Sequence, residues 1–253
     1  MRKTLSKKKR TKIKSSSYKG FILYEGASVL DGQDIVAIVT MNTRNTKTGD
    51  MPQVWILVKD VDPLSASKQG LDVSVCGNCP HRHFNKGACY VTLFQAPRSI
   101  WQSYKRGLYP KYEESKHSTH FLGRKLRLGA YGDPAAVPFE ILEHIASLGS
   151  GHTGYTHQAN HKKFDDRYIG LCQVSVDSPK QALKYQAMGA STFRVAMEDD
   201  SLMENEIECL SDSKGINCAD CMLCDGKQSN IAIAVHGNLA QRFKTSLVPT
   251  VQL

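Results

Sequence analysis

Short apolar runs alternate with amphipathic segments over most of the chain, and this alternation predicts an α/β protein. The apolar runs, rich in β-branched residues, predict strands at residues 53–60, 126–134, 152–158, 169–178, 191–198 and 230–237. Between them, helical periodicity with an early Pro or a late Gly predicts helices at residues 96–107, 138–149 and 178–189. Because strand–helix–strand units build parallel sheets, we expect a partial or complete (β/α) barrel.

The segment before these βα units predicts a different arrangement. FILYEG and DIVAIVT are two strand-like runs on either side of the turn sequence LDGQ, and they predict a hairpin. Residues 21–60 are therefore expected to form a small N-terminal β-rich extension.

Polar residues follow the predicted strands at the end where parallel βα folds collect their chemistry. These residues are Asp60, Asp133, His157, Asp177, Glu198 and His236. We expect roughly half of them to line one pocket if the barrel forms. The candidate catalytic residues of such an enzyme are Asp133, His157, Asp177 and His236.

The net charge of +9 is confined to one end of the chain. Nine of the 33 Lys and Arg residues lie in residues 1–20, where there is no acid, and the others equal the 24 Asp and Glu residues in number. A basic segment with nothing apolar to bury is expected to be disordered. Residues 1–20 are predicted to be such a tail, which contacts nucleic acid through phosphates or only aids solubility. Residues 21–253 are predicted to form a single metal-binding α/β domain.

The composition is ordinary for a globular protein, with 41% hydrophobic and 23% charged residues. No apolar run approaches the length of a membrane span, and no apolar stretch follows the basic N-terminus as in a secretion signal. We therefore expect a soluble, cytoplasmic protein with no membrane partner.

Seven of the eight cysteines fall into two groups whose spacing indicates metal binding. The first group (C-x2-C-x9-C) and the second (C-x8-C-x2-C-x2-C) consist of Cys76, Cys79 and Cys89, and of Cys209, Cys218, Cys221 and Cys224. A disulfide framework is typical of small secreted chains, which this chain does not resemble. Cys172 stands alone in an apolar run and is interpreted as a core thiol.

The spacing leaves the identity of the metal open. The four thiolates of the second group could hold structural zinc or an iron–sulfur cluster. In the first group, His81 or His83 could complete a Cys3His zinc site. Alternatively, no protein group fills the fourth position, and one iron of a cluster stays open to a small molecule.

Two other motif matches are rejected on their context. GSGHTG (149–154) follows a predicted helix and precedes a strand, which is the reverse of the dinucleotide-binding order. HQANH (157–161) has the histidine spacing of zinc proteases but lacks their glutamate, so Asn160 and His161 are interpreted as loop residues.

The order of strand, cysteine loop with a terminal aromatic, helix, and strand ending in GAYGDP resembles the start of a radical S-adenosylmethionine barrel. The resemblance implies an iron–sulfur cluster on the first cysteine group, with S-adenosylmethionine bound to its open iron. It also implies that the cofactor-binding turn is Gly132, Asp133 and Pro134, and that the second group holds an auxiliary cluster or zinc. The superfamily's usual spacing is C-x3-C-x2-C and its turn carries Glu, so this chain departs from it at both places.

The chain is also similar to uncharacterised cysteine-rich proteins encoded by tailed bacteriophages. The shared patterns are CGxCPHR…CY, RxGxYGDP, TGYTHQ and a late C-x-x-C-x-x-C, which together span most of residues 21–237. This resemblance implies a location in the host cytoplasm and does not imply a particular activity.

Three functional interpretations follow. The first is a radical S-adenosylmethionine-like enzyme, in which the cofactor carries the chemistry and the protein binds and shields the substrate. The second is a non-enzymatic nucleic-acid-binding protein whose scaffold is stabilised by zinc at both cysteine groups. The third is a barrel that has lost its cluster and binds a host protein.

Overall fold

The computed structural model describes residues 17–43, 45–197, 199–235 and 240–247, with side chains as far as Phe243. In these ranges one sheet contains β1 (Gly20–Ala27), β2 (Asp34–Thr40), β3 (Gln53–Val58), β4 (Lys125–Tyr131), β5 (Gly151–Thr156), β6 (Gln173–Val176), β7 (Thr192–Ala196), β8 (Glu206–Glu208) and β9 (Asn230–Ala234). Their order across the sheet is β1-β2-β3-β4-β5-β6-β7-β9-β8. The predicted hairpin is confirmed, because β1, β2 and β3 pair antiparallel, whereas every later pair is parallel.

Helices connect the strands and cover the sheet. The α-helices in the described ranges are α1 (Pro63–Gln69), α2 (Val73–Cys76), α3 (Ala96–Lys105), α4 (Glu114–His117), α5 (Phe139–Leu148), α6 (Pro179–Gln186), α7 (Leu210–Ser213), α8 (Cys218–Cys221) and α9 (Ala240–Leu247). Short 3-10 helices lie at His83–Asn85, Ser118–His120, Pro134–Ala136 and Asp166–Gly170. None of the helices in this part of the chain is long and apolar enough to cross a membrane.

The α/β class is confirmed by this mostly parallel sheet, whereas a complete barrel is not. Within the described residues, β1 and β8 are opposite edges of the sheet and do not pair with each other. The segment after α3 lies along the β1 edge instead. There the Ile22 N–H donates to Pro110 O at 2.9 Å, and the Tyr112 N–H donates to Ile22 O at 2.8 Å. The N–H and C=O groups of Ile22 are therefore already paired, whereas a closed barrel would need the free edge of β1 to pair with another strand.

Most predicted elements are found close to their expected bounds, and residues 169–178 are the main exception. Only Gln173–Val176 of that run is a strand, because Asp166–Gly170 turns as a 3-10 helix before it. The turn is fixed by the buried Tyr168, whose hydroxyl donates to Val137 O at 2.8 Å. Strand β8 was not predicted, since it has only three residues and two of them are exposed.

The two faces of the parallel sheet have different roles, because successive side chains of a strand point to opposite faces. On β4, Leu126 and Leu128 are fully buried in the main hydrophobic core, which also contains Leu142 of α5. The alternate positions of β4, Arg127 and Gly129, lie on the other face and line a cavity. The core and the cavity therefore lie on opposite faces along most of β4 and meet at its end, where Ala130 and Tyr131 contribute to both.

A buried ion pair holds β8 against the sheet. The Arg194 guanidinium on β7 donates to the two carboxylate oxygens of Glu206 at 2.8 and 2.6 Å, and both side chains are almost completely buried. Burial opposes ionisation of Glu206, but the hydrogen bonds from Arg194 lower its pKa below the usual value. Cys209 follows β8 directly, so this pair also positions the start of the second cysteine group.

Replacing Arg194 by Met should lower the free energy of unfolding by about 3–5 kcal/mol, because it leaves the Glu206 carboxylate buried and unpaired. Arg98→Met is the matched control, since Arg98 pairs with Asp62 at 2.9 Å but is half exposed. The control should cost at most about 1 kcal/mol. Urea denaturation followed by circular dichroism measures both, and equal losses would contradict the role of the buried pair.

Candidate metal centre

A cavity of about 470 Å³ lies over one face of the parallel strands and reaches their carboxyl ends. Both cysteine groups line it, with Cys76, Cys79, Cys89, Cys209, Cys218, Cys221 and Cys224. Cys172 is instead fully buried in the main core, in agreement with its interpretation as a core thiol. The fold thus brings two distant sequence segments to one partly open cavity.

The first cysteine group lies in a compact loop between α2 and α3. Cys76 ends α2, the Cys79 N–H donates to Cys76 O at 3.1 Å, and the Cys89 N–H donates to His81 O at 2.9 Å. Burial, followed by the neighbouring thiols, raises the pKa of Cys76 well above its usual value. Burial also raises the pKa of Cys79 to about 12 and that of Cys89 to about 11. A metal ion that binds here must therefore displace thiol protons.

The turn between the first two cysteines is held by the side chain of Gln158, just after β5. Its Nε2 donates to Cys76 O at 2.9 Å, and its Oε1 accepts from the Asn78 N–H at 3.2 Å. Gln158 is completely buried, and Gly77 lies between its two partners with φ of 52°. A Cβ on Gly77 would lie 2.0 Å from Gln158 Oε1, so the clamp requires glycine at this position.

A second buried contact fixes the same loop. The Arg82 guanidinium forms an ion pair with Asp72 and donates to Gly77 O at 3.3 Å and to Gly70 O at 2.7 Å. Arg82 and Asp72 are both nearly completely buried. The arginine of the CPHR sequence therefore ties the cysteine loop to the end of α1 and the start of α2.

Both histidines of the loop have their Nε2 atoms engaged away from the cysteines. Nε2 of His81 lies 2.8 Å from Asp177 Oδ1, and Nε2 of His83 lies 3.1 Å from Val91 O. Among the described residues, no histidine shares with the cysteines a group of three ligand atoms within 4.8 Å. In this arrangement neither Nε2 atom serves as the fourth ligand of a Cys3His site.

The second cysteine group packs against β5 and the loop after β2. The Cys218 N–H donates to Lys47 O at 3.0 Å, and Cys224 O accepts from the Gly154 N–H at 3.1 Å. Burial raises the pKa of Cys224 to about 12, although a hydrogen bond from Tyr155 opposes the shift. The other three thiols of the group add to this rise, as expected for four thiols held close together.

Asp133 joins the carboxyl ends of β4 and β5. Its Oδ1 accepts from Thr156 Oγ1 at 2.7 Å and from the Ala135 N–H at 3.0 Å, and its Oδ2 accepts from the His157 N–H at 2.7 Å. Burial raises the pKa of Asp133, and the three donors oppose that rise. The carboxylate therefore holds the backbone and hydroxyl groups around it in place. Asp133 also lines the cavity.

The predicted cofactor-binding turn surrounds this carboxylate. Gly132 has φ of 78°, and a Cβ there would lie 2.6 Å from Ile56 O, so the position requires glycine. Gly132 and Asp133 line the cavity. Pro134 instead begins a buried 3-10 helix and is not among the residues of the described chain that line the cavity.

The predicted catalytic residues are only partly brought together. Asp133 and His157 line the cavity, and Asp177 contacts the lining residue His81. His236 lies outside the described residues. Three of the four are thus neighbours at the carboxyl ends of β4, β5 and β6.

The other two strand-end residues do not add to this group. Asp60 is largely exposed and pairs with Lys105 Nζ at 2.9 Å on the surface. Glu198 lies outside the described residues. Of the four strand-end residues within the described ranges, two, Asp133 and His157, line the cavity, which is the expected half.

Arg127 is a cavity residue that the sequence analysis did not single out. Its Nη2 donates to the Tyr90 hydroxyl at 2.7 Å, while its Nε is buried without a hydrogen-bond partner in the described part of the chain. Its position in β4 could have predicted this, because alternation along the strand places Arg127 on the same face as Gly129 and Tyr131. It provides a positive charge in a cavity that is otherwise mostly apolar.

Gly77→Ala should displace the Gln158 amide, destabilise the protein and make Cys76 and Cys79 react faster with maleimide. Gly107→Ala is the matched control, because Gly107 also has a positive φ, of 70°, but a Cβ there would meet no atom within 4 Å. The control should cost only about 1–2 kcal/mol of backbone strain. Thermal unfolding and mass spectrometry of the alkylated thiols measure both effects. The clamp is contradicted if the two variants behave alike.

No family model matches the sequence, and no curated protein or solved structure matches it either. The cavity, with its two groups of thiols and the polar residues between them, is the structural feature that bears on function.

Proposed function

We propose that the chain is a phage-type radical S-adenosylmethionine-like enzyme with an iron–sulfur cluster on Cys76, Cys79 and Cys89. The observation that carries the proposal is three partly buried thiols on one cavity, with the Nε2 atoms of the nearby histidines engaged elsewhere. Three ligands and an open position are what a cluster needs in order to bind a small molecule. The open, mostly parallel sheet is interpreted in the same proposal as a partial barrel.

The thiols of each group are spread more widely than the ligands of a single zinc ion. Sulfur atoms around one tetrahedral zinc lie about 3.8 Å apart, because each Zn–S bond is about 2.3 Å long. Among the described residues, neither cysteine group brings three sulfur atoms within 4.8 Å of one another. A cluster of several irons holds its thiolates farther apart than one ion does. We propose an auxiliary cluster on Cys209, Cys218, Cys221 and Cys224, with zinc as the alternative at both groups.

The cofactor, when bound to the reduced cluster, supplies a radical that abstracts hydrogen from a substrate. The chain's own residues would bind and orient the cofactor and the substrate. The turn at Gly132 places backbone next to the cluster loop, where it would hold the cofactor's amine, and Asp133 keeps that turn against β5. Arg127, with an unpaired buried Nε, would bind an anionic or carbonyl oxygen of the substrate.

The remaining parts of the proposal concern location and partners. We infer a cytoplasmic setting, in the host where the chain is phage-encoded, from the resemblance to the phage proteins. Contact of the basic tail with nucleic acid, or of the protein with a host protein, stays a prediction, because residues 1–16 lie outside the described residues.

Anaerobic reconstitution with iron and sulfide tests the assignment of both groups. Wild-type protein should bind about eight iron and eight sulfide per chain, as two four-iron clusters. Cys89→Ala and Cys224→Ala should each lose about half of the iron. Cys172→Ala is the matched control, since it removes a thiol outside both groups, and it should keep the full content.

Metal analysis, absorption spectra and release of 5′-deoxyadenosine from S-adenosylmethionine after reduction provide the measurements. Colourless protein with about two zinc ions, and no iron after reconstitution, would overturn the proposal in favour of a zinc-stabilised binding protein. Loss of 5′-deoxyadenosine release should occur in Cys89→Ala and not in Cys172→Ala.

A further inference from the structure

Three potential metal ligands from separate elements meet beside the cysteine loop. His81, His157 and Asp177 each place one ligand atom within 4.8 Å of the other two. His81 Nε2 lies 2.8 Å from Asp177 Oδ1, and the two imidazole rings meet edge to face with centroids 5.5 Å apart. Ligand atoms about 3 Å apart are usual around one transition-metal ion with bonds of about 2.1 Å.

The backbone at each of the three residues is held in place by contacts outside the group. The carbonyl of His81 accepts from the Cys89 N–H at 2.9 Å, and the His157 N–H donates to Asp133 Oδ2 at 2.7 Å. The Asp177 N–H donates to Gln181 Oε1 at 2.8 Å, at the start of α6. The group is therefore organised by the scaffold before any ligand arrives.

The Nε2 atom of His157 indicates that a component of the site is unaccounted for. It is buried and has no hydrogen-bond partner among the described residues. Leaving a buried polar atom unsatisfied destabilises a folded protein. A simple His81–Asp177 ion pair would explain two members of the group and would leave His157 without a role.

We propose that His81, His157 and Asp177 bind a divalent first-row transition metal, separately from both cysteine groups. Two imidazole nitrogens and one carboxylate oxygen on one side of an ion leave its other positions open, as in non-haem Fe(II) sites. Those positions face the cavity, because His81 and His157 line it. Phe243 of α9 stacks on the His81 ring at 5.5 Å and covers the group on one side.

The position of this site gives it a role distinct from that of a structural ion. His81 lies in the same loop as Cys79 and Cys89, so a metal here would sit beside the first cysteine group and on the same cavity. An open metal position at that point binds an oxygen or nitrogen donor of a small molecule. The inference does not depend on what the cysteines hold, since none of them belongs to this group.

Mn2+ is the probe, because it prefers nitrogen and oxygen ligands to thiolates and is detected directly by EPR. Protein with its cysteine groups as purified should bind one Mn2+ per chain. His157→Gln and Asp177→Asn should each weaken binding by about tenfold or more. His161→Gln is the matched control, since it removes a nearby histidine of the same loop that lies outside the group, and it should bind as the wild type does.

Electron spin-echo modulation of bound Mn2+ supplies a readout that does not need a variant. Two histidine nitrogens coupled to Mn2+ in the wild-type protein are the expected result. Absence of bound Mn2+, a spectrum without histidine nitrogens, or unchanged affinity in a folded His157→Gln variant would overturn the proposal. Any of these results would leave the iron content of the cysteine groups unaffected, so the two proposals fail separately.

Discussion

The buried amide of Gln158 is the contact on which the geometry of the candidate centre depends. One side chain accepts from Asn78 and donates to Cys76, and it thereby joins the cysteine loop to the end of β5. Asp133 fixes the same strand end from β4 and holds His157, the residue before Gln158. Because these hydrogen bonds are buried, and those to Asp133 are charge-assisted, the cysteine loop, the turn at Gly132 and the backbone at His157 keep fixed relative positions.

Local patterns predicted most of the elements, because each element carries its own signals. Helix α6, for example, begins at Pro179 with its N-cap Ser178 accepting from the Gln181 N–H, which are contacts within four residues. The open sheet was not predictable in this way. It depends on residues 110–112 lying along β1, far from that strand in sequence, and on β8, which the buried Arg194–Glu206 pair holds in the sheet.

The cysteine spacing predicted two metal-binding groups, and the fold adds that both line one cavity. The spacing could not show whether a histidine completes the first group, since that depends on a contact between His81 and Asp177, 96 residues apart. The role of Gln158, 80 residues from Asn78, was hidden for the same reason. Alternation along β4 did contain the signal for Arg127, because it shares a face with Tyr131.

The central claim is an open iron–sulfur cluster at the first cysteine group, and EPR of the reduced, reconstituted protein tests it most directly. Spectra are recorded with and without S-adenosylmethionine, with Cys89→Ala protein as the reference for the second group alone. The account predicts a cluster signal that is absent from the variant and whose g values shift when S-adenosylmethionine is added. A signal that S-adenosylmethionine leaves unchanged, or a reduced protein with no cluster signal, would contradict it.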